Sequence, residues 1–298
     1  MLRLVALFLI CSASLAQAEE FCNSRELARL DANLPGSHLL SMPATFAGRQ
    51  TRLVLITGGR SELRERFVTA LELRPLRMSG PAYRGVAGDK ATHHVIVPLF
   101  QLGTFDLRQV DFLVSRDNYA EPIDRFAGSL GVERLGDFDV EIDGATKTVT
   151  LHQPDIFCSG RLVRWADKWA EIPFNLNNNV PELRAEIDGV PMDAVFDTSA
   201  SHTIMSLDVA RRSFGITPSS PGVRRMGEQS IGGGNELPLY IYRFKALTIG
   251  GLTFNDAAIV LGEFEDTELT LGMRQISQLH SYIAFKRKMI YATRIEGK

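Results

Sequence analysis

The sequence predicts an all-β protein built from two similar lobes with few and short helices. Strand-like apolar runs bounded by turn residues recur along the chain, for example Leu183–Ile187 and Met192–Phe196 around Asp188-Gly189, and this pattern is typical of a β-hairpin. The second half of the chain also repeats the pattern of the first. The two observations together indicate a duplicated β domain.

The internal repeat has a constant spacing at widely separated places. Ile56 and Asp197 are 141 residues apart and each is followed by Thr, while Leu130-Gly131 and Leu271-Gly272 keep the same spacing. In the middle of each copy the best spacing drifts to ~147 and then returns, as insertions in loops would cause. One spacing recovered at several places predicts that Ile56 and Asp197 occupy equivalent positions in the two lobes.

The repeat and the composition of the chain suggest four parts. We expect a removable leader over residues 1–18, a first lobe over 19–150, an interlobe linker over 151–172 and a second lobe over 173–298. The linker holds both tryptophans, Trp165 and Trp169, whose spacing favours a role in packing between the lobes.

The first eighteen residues have the features of a signal peptide. Arg3 supplies a positive charge, Leu4–Ile10 is an apolar run, and Ala16-Gln17-Ala18 fits the small-residue cleavage pattern. The run is shorter than the ~20 residues that a membrane-spanning helix needs. We therefore expect cleavage after Ala18, export to the periplasm or the medium, and no membrane span in the mature chain.

Export changes the interpretation of the cysteines. Cys11 would leave with the leader, so the mature chain would keep Cys22 and Cys158. An even pair in an oxidising compartment predicts a disulfide, and the alternative is two unrelated thiols. No histidine has a ligand-like spacing to these cysteines, so the sequence predicts no metal site.

Composition and charge exclude several classes of protein. The 298 residues are 45% hydrophobic and 23% charged, which is typical of globular proteins and argues against a disordered, collagenous or coiled-coil chain. The formal net charge is −2, so no excess of Lys and Arg points to a nucleic acid as partner. Nothing in the sequence indicates a cofactor.

One motif resembles a known enzyme family. The segment Phe196-Asp197-Thr198-Ser199-Ala200 resembles the active-site motif of the retropepsin and pepsin clan of aspartic proteases, in which Asp and Thr or Ser follow an apolar strand. Leu269-Thr270-Leu271-Gly272 is similar to the family's second, glycine-containing element. The glycines Gly232–Gly234 stand where the family carries its flap.

The resemblance implies a fold and a chemistry. It implies two closed β-barrel lobes with an extended peptide bound in the cleft between them. Two aspartates, one from each lobe, would share a proton and act together as acid and base. It also implies roles for individual residues. The catalytic residues would be Asp197, Thr198 and Ser199, and the substrate-binding residues Ala200, Gly232, Gly233, Gly234, Ile56 and Thr57.

The sequence departs from the family pattern at two positions. Ile56 stands where the first lobe should carry its aspartate, and Ser199 replaces the family's usual Gly. A single carboxyl facing an apolar side chain is partly desolvated, which raises its pKa and makes it a poor base. Ser199 could crowd the backbone amides that bind the carboxylate.

Three interpretations follow from this departure. In the first, the protein is an exported aspartic protease that hydrolyses peptides through Asp197, with a second carboxylate from Asp89 or from another copy. In the second, it is a pseudoprotease that binds an extended peptide or protein segment without cutting it. In the third, Asp197 only forms hydrogen bonds within its loop. Because the fused first lobe would occupy the place of a second copy, we expect a monomer.

Overall fold

The fold is described from a computed structural model over residues 21–32, 39–78, 83–84, 90–115, 125–178, 180–230, 236–264 and 268–295. The chain is mostly β, with 56% strand and 11% helix, and the predicted fold class is confirmed. The predicted leader, Asp89 and the flap glycines Gly232, Gly233 and Gly234 lie outside the described residues.

The first half of the chain, residues 21–152, contains twelve strands and two short helices in its described parts. They are β1 (Glu26–Asp31), β2 (Ser41–Phe46), β3 (Arg49–Leu55), β4 (Glu62–Arg64), α1 (Glu65–Ala70), β5 (Leu76–Arg77), β6 (Tyr83–Arg84), β7 (Lys90–Ala91), β8 (His93–Leu102), β9 (Phe105–Ser115), β10 (Gly128–Leu130), α2 (Val132–Leu135), β11 (Asp139–Asp143) and β12 (Thr148–His152).

The second half, residues 170–295, repeats the same kinds of element. They are β13 (Ala170–Asn177), β14 (Val180–Ile187), β15 (Val190–Phe196), β16 (Ile204–Ser206), α3 (Leu207–Phe214), β17 (Arg224–Ser230), β18 (Glu236–Ile249), β19 (Leu252–Gly262), β20 (Leu269–Leu271), α4 (Met273–Ile276), β21 (Leu279–Ala284), a 3₁₀ turn (Phe285–Arg287) and β22 (Met289–Arg294).

Each half closes its own ring of strands. In the first half the order β2-β3-β10-β4-β9-β8 is closed by pairing of β2 with β8. In the second half the order β14-β15-β20-β16-β19-β18 is closed by pairing of β14 with β18. Closure leaves no free edge within either ring, because every strand has two hydrogen-bonded neighbours. Further strands, in the order β1-β12-β11-β21-β22-β13, form a sheet that joins the two halves.

The two rings place equivalent residues at the predicted spacing. In each ring a strand that precedes a loop pairs in parallel with a short strand, β3 with β10 and β15 with β20. The N–H of Ile56 donates to the carbonyl of Leu130, and the N–H of Asp197 donates to that of Leu271, both at 3.0 Å. Ile56 and Asp197 therefore begin equivalent loops.

Every second side chain along the strands points into the ring, and these buried side chains fill the ring interiors. On β15, Met192, Ala194 and Phe196 are buried, whereas the residues between them are more exposed, since successive side chains of a strand point to opposite faces. In the first ring, Phe46 stacks on Phe100 with their ring centroids 4.7 Å apart. The last residues of β3 and β15, Leu55 and Phe196, are themselves buried in these interiors, and the loops of the site follow directly after them.

A carboxylate between two histidines lies in the sheet that joins the halves. Glu141 on β11 contacts His152 on β12 at 2.9 Å and His280 on β21 at 2.7 Å. The ring of Trp165 stacks on His280, with centroids 3.8 Å apart. Burial alone would raise the pKa of Glu141, but the hydrogen bonds and charges of the two histidines lower it to about 2.

The segment that contains Cys158, between the two halves, contacts both of them. Cys22 and Cys158 form a disulfide with Cα atoms 5.6 Å apart. Arg287 donates to the carbonyls of Asp155 at 2.8 Å and Cys158 at 2.6 Å. These contacts tie the start of the described chain to the linker and to the second half. None of the helices in the described ranges is long and apolar enough to cross a membrane.

Replacement of Glu141 by Gln is expected to weaken folding in a pH-dependent way. The pKa of this carboxyl is about 2 in the folded protein, below its ordinary value of 4.5. Its contribution to the free energy of unfolding is therefore complete above about pH 4.5 and is lost as the pH falls towards 2. At pH 6 we expect a loss of about 2 kcal/mol.

Urea unfolding of Glu141→Gln and the parent protein at several pH values measures this loss. Exposed Glu186, replaced by Gln, is the matched control and should change stability little. A loss that is equally large at pH 2 and pH 6 would contradict the assignment.

The disulfide between Cys22 and Cys158 is expected to be complete in protein purified without a reductant. We expect no free thiol in unreduced protein that begins at Glu19. Because Cys22 and Cys158 are 136 residues apart, a Cys22→Ser/Cys158→Ser variant should lose about 4 to 5 kcal/mol of unfolding free energy. Thiol titration and thermal unfolding measure the two quantities, and detection of two thiols would refute the pairing.

Candidate active site

Two threonines hold the loops of the two halves against each other. The N–H of Thr57 donates to Oγ1 of Thr198 at 3.1 Å, and the N–H of Thr198 donates to Oγ1 of Thr57 at 3.0 Å. The hydroxyl of Thr57 donates to the carbonyl of Phe196 at 2.7 Å, and that of Thr198 donates to the carbonyl of Leu55 at 2.6 Å. Each loop is thus fixed by the strand of the other half.

A glycine lies directly behind each loop and leaves no room for a side chain. A Cβ on Gly131 would stand 2.5 Å from the carbonyl oxygen of Gly59, and one on Gly272 would stand 2.2 Å from that of His202. The N–H of Gly272 also donates to the hydroxyl of Thr203 at 3.0 Å. The glycine element noted in the sequence is therefore packed against the Asp197 loop.

Asp197 is the acidic side chain at the meeting point of the loops. Its Oδ1 accepts hydrogen bonds from the N–H of Ser199 at 2.8 Å and from the N–H of Gly58 at 3.2 Å. Oγ of Ser199 lies 2.7 Å from Oδ1 and 2.9 Å from Oδ2. Burial raises the pKa of the Asp197 carboxyl, and the hydrogen bonds from Ser199 and Gly58 oppose that rise.

Among its described residues, the first half contributes a backbone amide, and not a carboxylate, to this site. Ile56 is half-buried at the position equivalent to Asp197. Gly58 approaches so closely that a Cβ there would lie 2.3 Å from Cγ of Asp197. Within the described ranges, Ser199 and Gly58 supply the hydrogen bonds to Asp197, and no charged group contributes to its shifted pKa.

The candidate residues of the sequence differ in their accessibility. Thr57 and Thr198 are fully buried and position the loops, so neither side chain can touch a ligand. Asp197, Ser199 and Ala200 are partly exposed and form the accessible surface of the site. The reciprocal bonding of Thr57 and Thr198 was not inferred from the sequence, although the Thr that follows both Ile56 and Asp197 was the available signal.

In the described parts of the chain, no group of three His, Cys, Asp or Glu side chains is arranged to hold a metal ion.

Replacement of Gly58 by Ala tests the close approach to Asp197. Gly58 is not among the glycines of positive φ, so the added methyl acts only through its clash with the carboxyl group. We expect a loss of about 2 kcal/mol in the free energy of unfolding. Gly59→Ala is the matched control, because its Cβ would meet only a methyl of Ile56 at 3.1 Å. Equal losses in thermal unfolding would contradict the geometry.

Comparison with known proteins agrees with this geometry. Residues 183–274 match the family model described as aspartyl protease. No curated protein matches the sequence. Aspartic proteinase from Irpex lacteus is 10% identical, with a TM-score of 0.53 over 92% of this chain and 98% of that chain, so it shows the fold alone.

Two further solved structures are similar over different lengths. Basic 7S globulin from soybean is 11% identical, with a TM-score of 0.48 over 89% of this chain and 93% of that chain. A retropepsin-like aspartic protease from Rickettsia conorii is 17% identical, with a TM-score of 0.35 over 44% of this chain and 96% of that chain. The resemblance to aspartic proteases that the motif predicts is confirmed by the family match of residues 183–274 and by the fold that the chain shares with the proteinase from Irpex lacteus.

Proposed function

We propose that this protein is exported and binds an extended peptide or protein segment at the accessible surface formed by Asp197, Ser199 and Ala200, without cleaving it. The observation that carries the proposal is that, among the described residues, Asp197 is the one carboxyl group where the two loops meet. Ile56 stands at the position equivalent to Asp197, and the first-half loop offers only the N–H of Gly58 to the site.

One carboxyl group is a poor means of hydrolysing a peptide bond. The reaction needs a base that takes a proton from the attacking water and an acid that gives a proton to the substrate. Two carboxyls that share one proton fill both roles because their pKa values are pushed apart. Asp197 has no such partner among the described residues, and burial raises the pKa of its carboxyl group, against the hydrogen bonds from Ser199 and Gly58, so the ionised form that acts as a base is less favourable than in water.

Two other features of the site support the binding of an extended peptide. Both loops keep their reciprocal threonine bonds, although only one loop carries an acid. Strands β17 and β18 pair through Ser230 and Glu236 on either side of the glycine-rich segment that the sequence assigns to a flap. One chain supplies both loops, so a monomer is sufficient, and an extended peptide is the ligand that strand-rich walls bind through main-chain hydrogen bonds.

A second candidate function is peptide-bond hydrolysis by Asp197. It is favoured by the match of residues 183–274 to the aspartyl protease family model and by the partial exposure of Asp197. In this scheme the carboxylate takes a proton from water as the water attacks the carbonyl carbon. The carboxyl then gives this proton to the departing nitrogen.

Export is part of the proposal. The signal-peptide pattern that ends at Ala18 supports it, as does the disulfide between Cys22 and Cys158, because disulfides persist in oxidising compartments. The mature protein would begin at Glu19.

The proposal is tested with one peptide library and two readouts. The mature protein is incubated with a randomised decapeptide library between pH ~3 and 8. Retained peptides are identified by mass spectrometry, resynthesised and titrated by calorimetry, and new peptide termini are counted in the same samples. We expect retention of a subset of peptides and no new termini.

Two variants locate the binding surface. Ala200→Trp should abolish retention, because the indole would cover the partly exposed surface beside Asp197. Glu186→Trp, on an exposed position of β14, should leave retention unchanged. New termini that disappear in Asp197→Asn would establish the hydrolase instead, and a library of which nothing is retained would refute binding.

A further inference from the structure

A surface cavity of about 370 Å³ lies against the β2–β3 hairpin of the first half. Its walls include Pro43 and Thr45 of β2, Gln50 and Arg52 of β3, and Gly103 of the turn between β8 and β9. This volume falls within the range of ~300 to 1,000 Å³ that is usual for small-ligand sites. Among the described residues that line the cavity, Arg52 alone is charged, so its charge favours an anion.

The alternation of β3 turns Arg52 away from the ring interior. Its neighbours Thr51 and Leu53 are buried, whereas Arg52 is half-buried. Its Nε donates to Oγ of Ser41 at 2.8 Å, and its Nη2 donates to the backbone carbonyls of Asp31, at 2.6 Å, and of Ser41. All of these acceptors are uncharged. Nη1 has no hydrogen-bond partner among the described residues, which leaves two N–H groups for a ligand.

The charge of Arg52 has no close counter-charge in the described parts of the chain. Asp31 bonds Arg52 through its carbonyl, and its carboxylate acts only through its charge. The carboxylate of Asp106, on the β8–β9 hairpin, is bonded instead by Gln101 at 2.9 Å and Arg108 at 3.0 Å. Burial lowers the pKa of the Arg52 guanidinium, and the charge of Asp31 opposes that fall. A bound anion would compensate this partly buried charge.

The equivalent position in the second half carries an ion pair. Arg52 and Asp193 are 141 residues apart, and so are Pro43 and Arg184. Pro43 lies directly across its hairpin from Arg52, as Arg184 lies across from Asp193. Arg184 and Asp193 form a salt bridge, whereas Pro43 offers Arg52 no charge. A carboxylate in the cavity would therefore give the first half the pairing that the second half has within its own chain.

We propose that this cavity binds a carboxylate group, which the guanidinium of Arg52 holds in the way that Arg184 holds Asp193 in the second half. A carboxylate carries one negative charge, which one guanidinium balances. A phosphate group carries a charge of about −1.5 to −2 at neutral pH, so a single cation would leave part of it unpaired. The residues of this site are not those of the surface around Asp197, and the inference does not rest on the proposed function.

Heteronuclear NMR of the guanidinium tests the site directly. The parent protein is titrated near neutral pH with acetate, with chloride and with inorganic phosphate, at constant ionic strength so that screening does not change. The Nε–H signal of Arg52 is followed, because its hydrogen bond to Ser41 slows exchange with water. We expect a saturable shift with acetate alone. Equal responses to acetate and chloride, or tighter binding of phosphate than of acetate, would overturn the proposal.

Two pairs of variants locate the binding group, with backbone amide signals of β2 and β3 as the readout. Arg52→Gln should weaken acetate binding at least ~10-fold, the value of a hydrogen bond to a charged group. Arg184→Gln is the matched control, because it removes an exposed guanidinium that already has a carboxylate partner, and it should leave acetate binding unchanged. Equal losses in the two variants would contradict the assignment.

The second pair avoids any loss of folding that follows from removal of Arg52. Pro43→Glu places a carboxylate across the hairpin from Arg52 and should abolish acetate binding, whereas Pro43→Gln should retain it. Acetate binding that persists in Pro43→Glu would show that Arg52 does not hold the anion.

A last comparison identifies the source of the carboxylate. Acetyl-triglycine, which ends in a free carboxylate, and its C-terminal amide are titrated in the same way. Tighter binding of the free acid than of acetate would assign the site to the C-terminus of a peptide, and binding no tighter than that of acetate would assign it to a small carboxylic acid. Equal binding of the free acid and the amide would overturn the proposal.

Discussion

The reciprocal hydrogen bonds between Thr57 and Thr198 are the interaction on which the rest of the site depends. Each threonine accepts a bond from the backbone of the other loop and donates one to the strand of the other half. Both side chains are fully buried, so loss of either would leave polar groups without partners in the interior. This arrangement gives a physical reason for an intact first-half loop that lacks an acid. Without Thr57, the Asp197 loop would lose its support.

The two loops have equivalent backbone hydrogen bonds, but the side chains that they carry at equivalent positions differ in chemistry. Equivalent backbone bonds place Ile56 and Asp197 at matching positions, yet only Asp197 can ionise. The first half has kept Gly58, whose N–H reaches Oδ1 of Asp197 and whose missing side chain allows that approach. Among the described residues, the first half therefore supplies a backbone donor to the site, and the second half supplies the carboxyl group of Asp197 and the hydroxyl of Ser199.

The sequence predicts some of these features because they follow from local pattern. The spacing between Ile56 and Asp197 and the closing strands follow from repeated apolar runs, and the structure places those runs in parallel pairs of the same register. The role of Thr57 could not be predicted in this way. That role depends on contact between two loops that are 141 residues apart in the sequence. Neither the secondary-structure propensity of the residues nor the alternation of apolar and polar residues predicts such a contact.

The cluster around Glu141 could not be predicted from the sequence either, because its members are also distant from one another along the chain. Glu141 and His280 belong to different halves and come together only because β11 pairs with β21. Likewise, the two contacts of Ser199 with Asp197 depend on the side-chain rotamer within a loop. Sequence reasoning noted that Ser199 replaces a glycine and predicted crowding of the backbone amides. In the structure these amides keep their bonds to Asp197, and the hydroxyl affects the carboxyl oxygens instead.

Two of the junctions between the halves in the described parts of the chain limit how a ligand can act on Asp197. One junction is the buried pair of threonines, and the other is the sheet in which Glu141 bonds histidines from both sides. A ligand that separated the loops would have to break the bonds of Thr57 and Thr198 at a fully buried position. A ligand that approached over Ala200 would meet the partly exposed face of Asp197 and Ser199 without disturbing either junction. Access from this face is therefore the less costly route, and it leads to the partly exposed Asp197 and to the hydroxyl of Ser199 that donates to it.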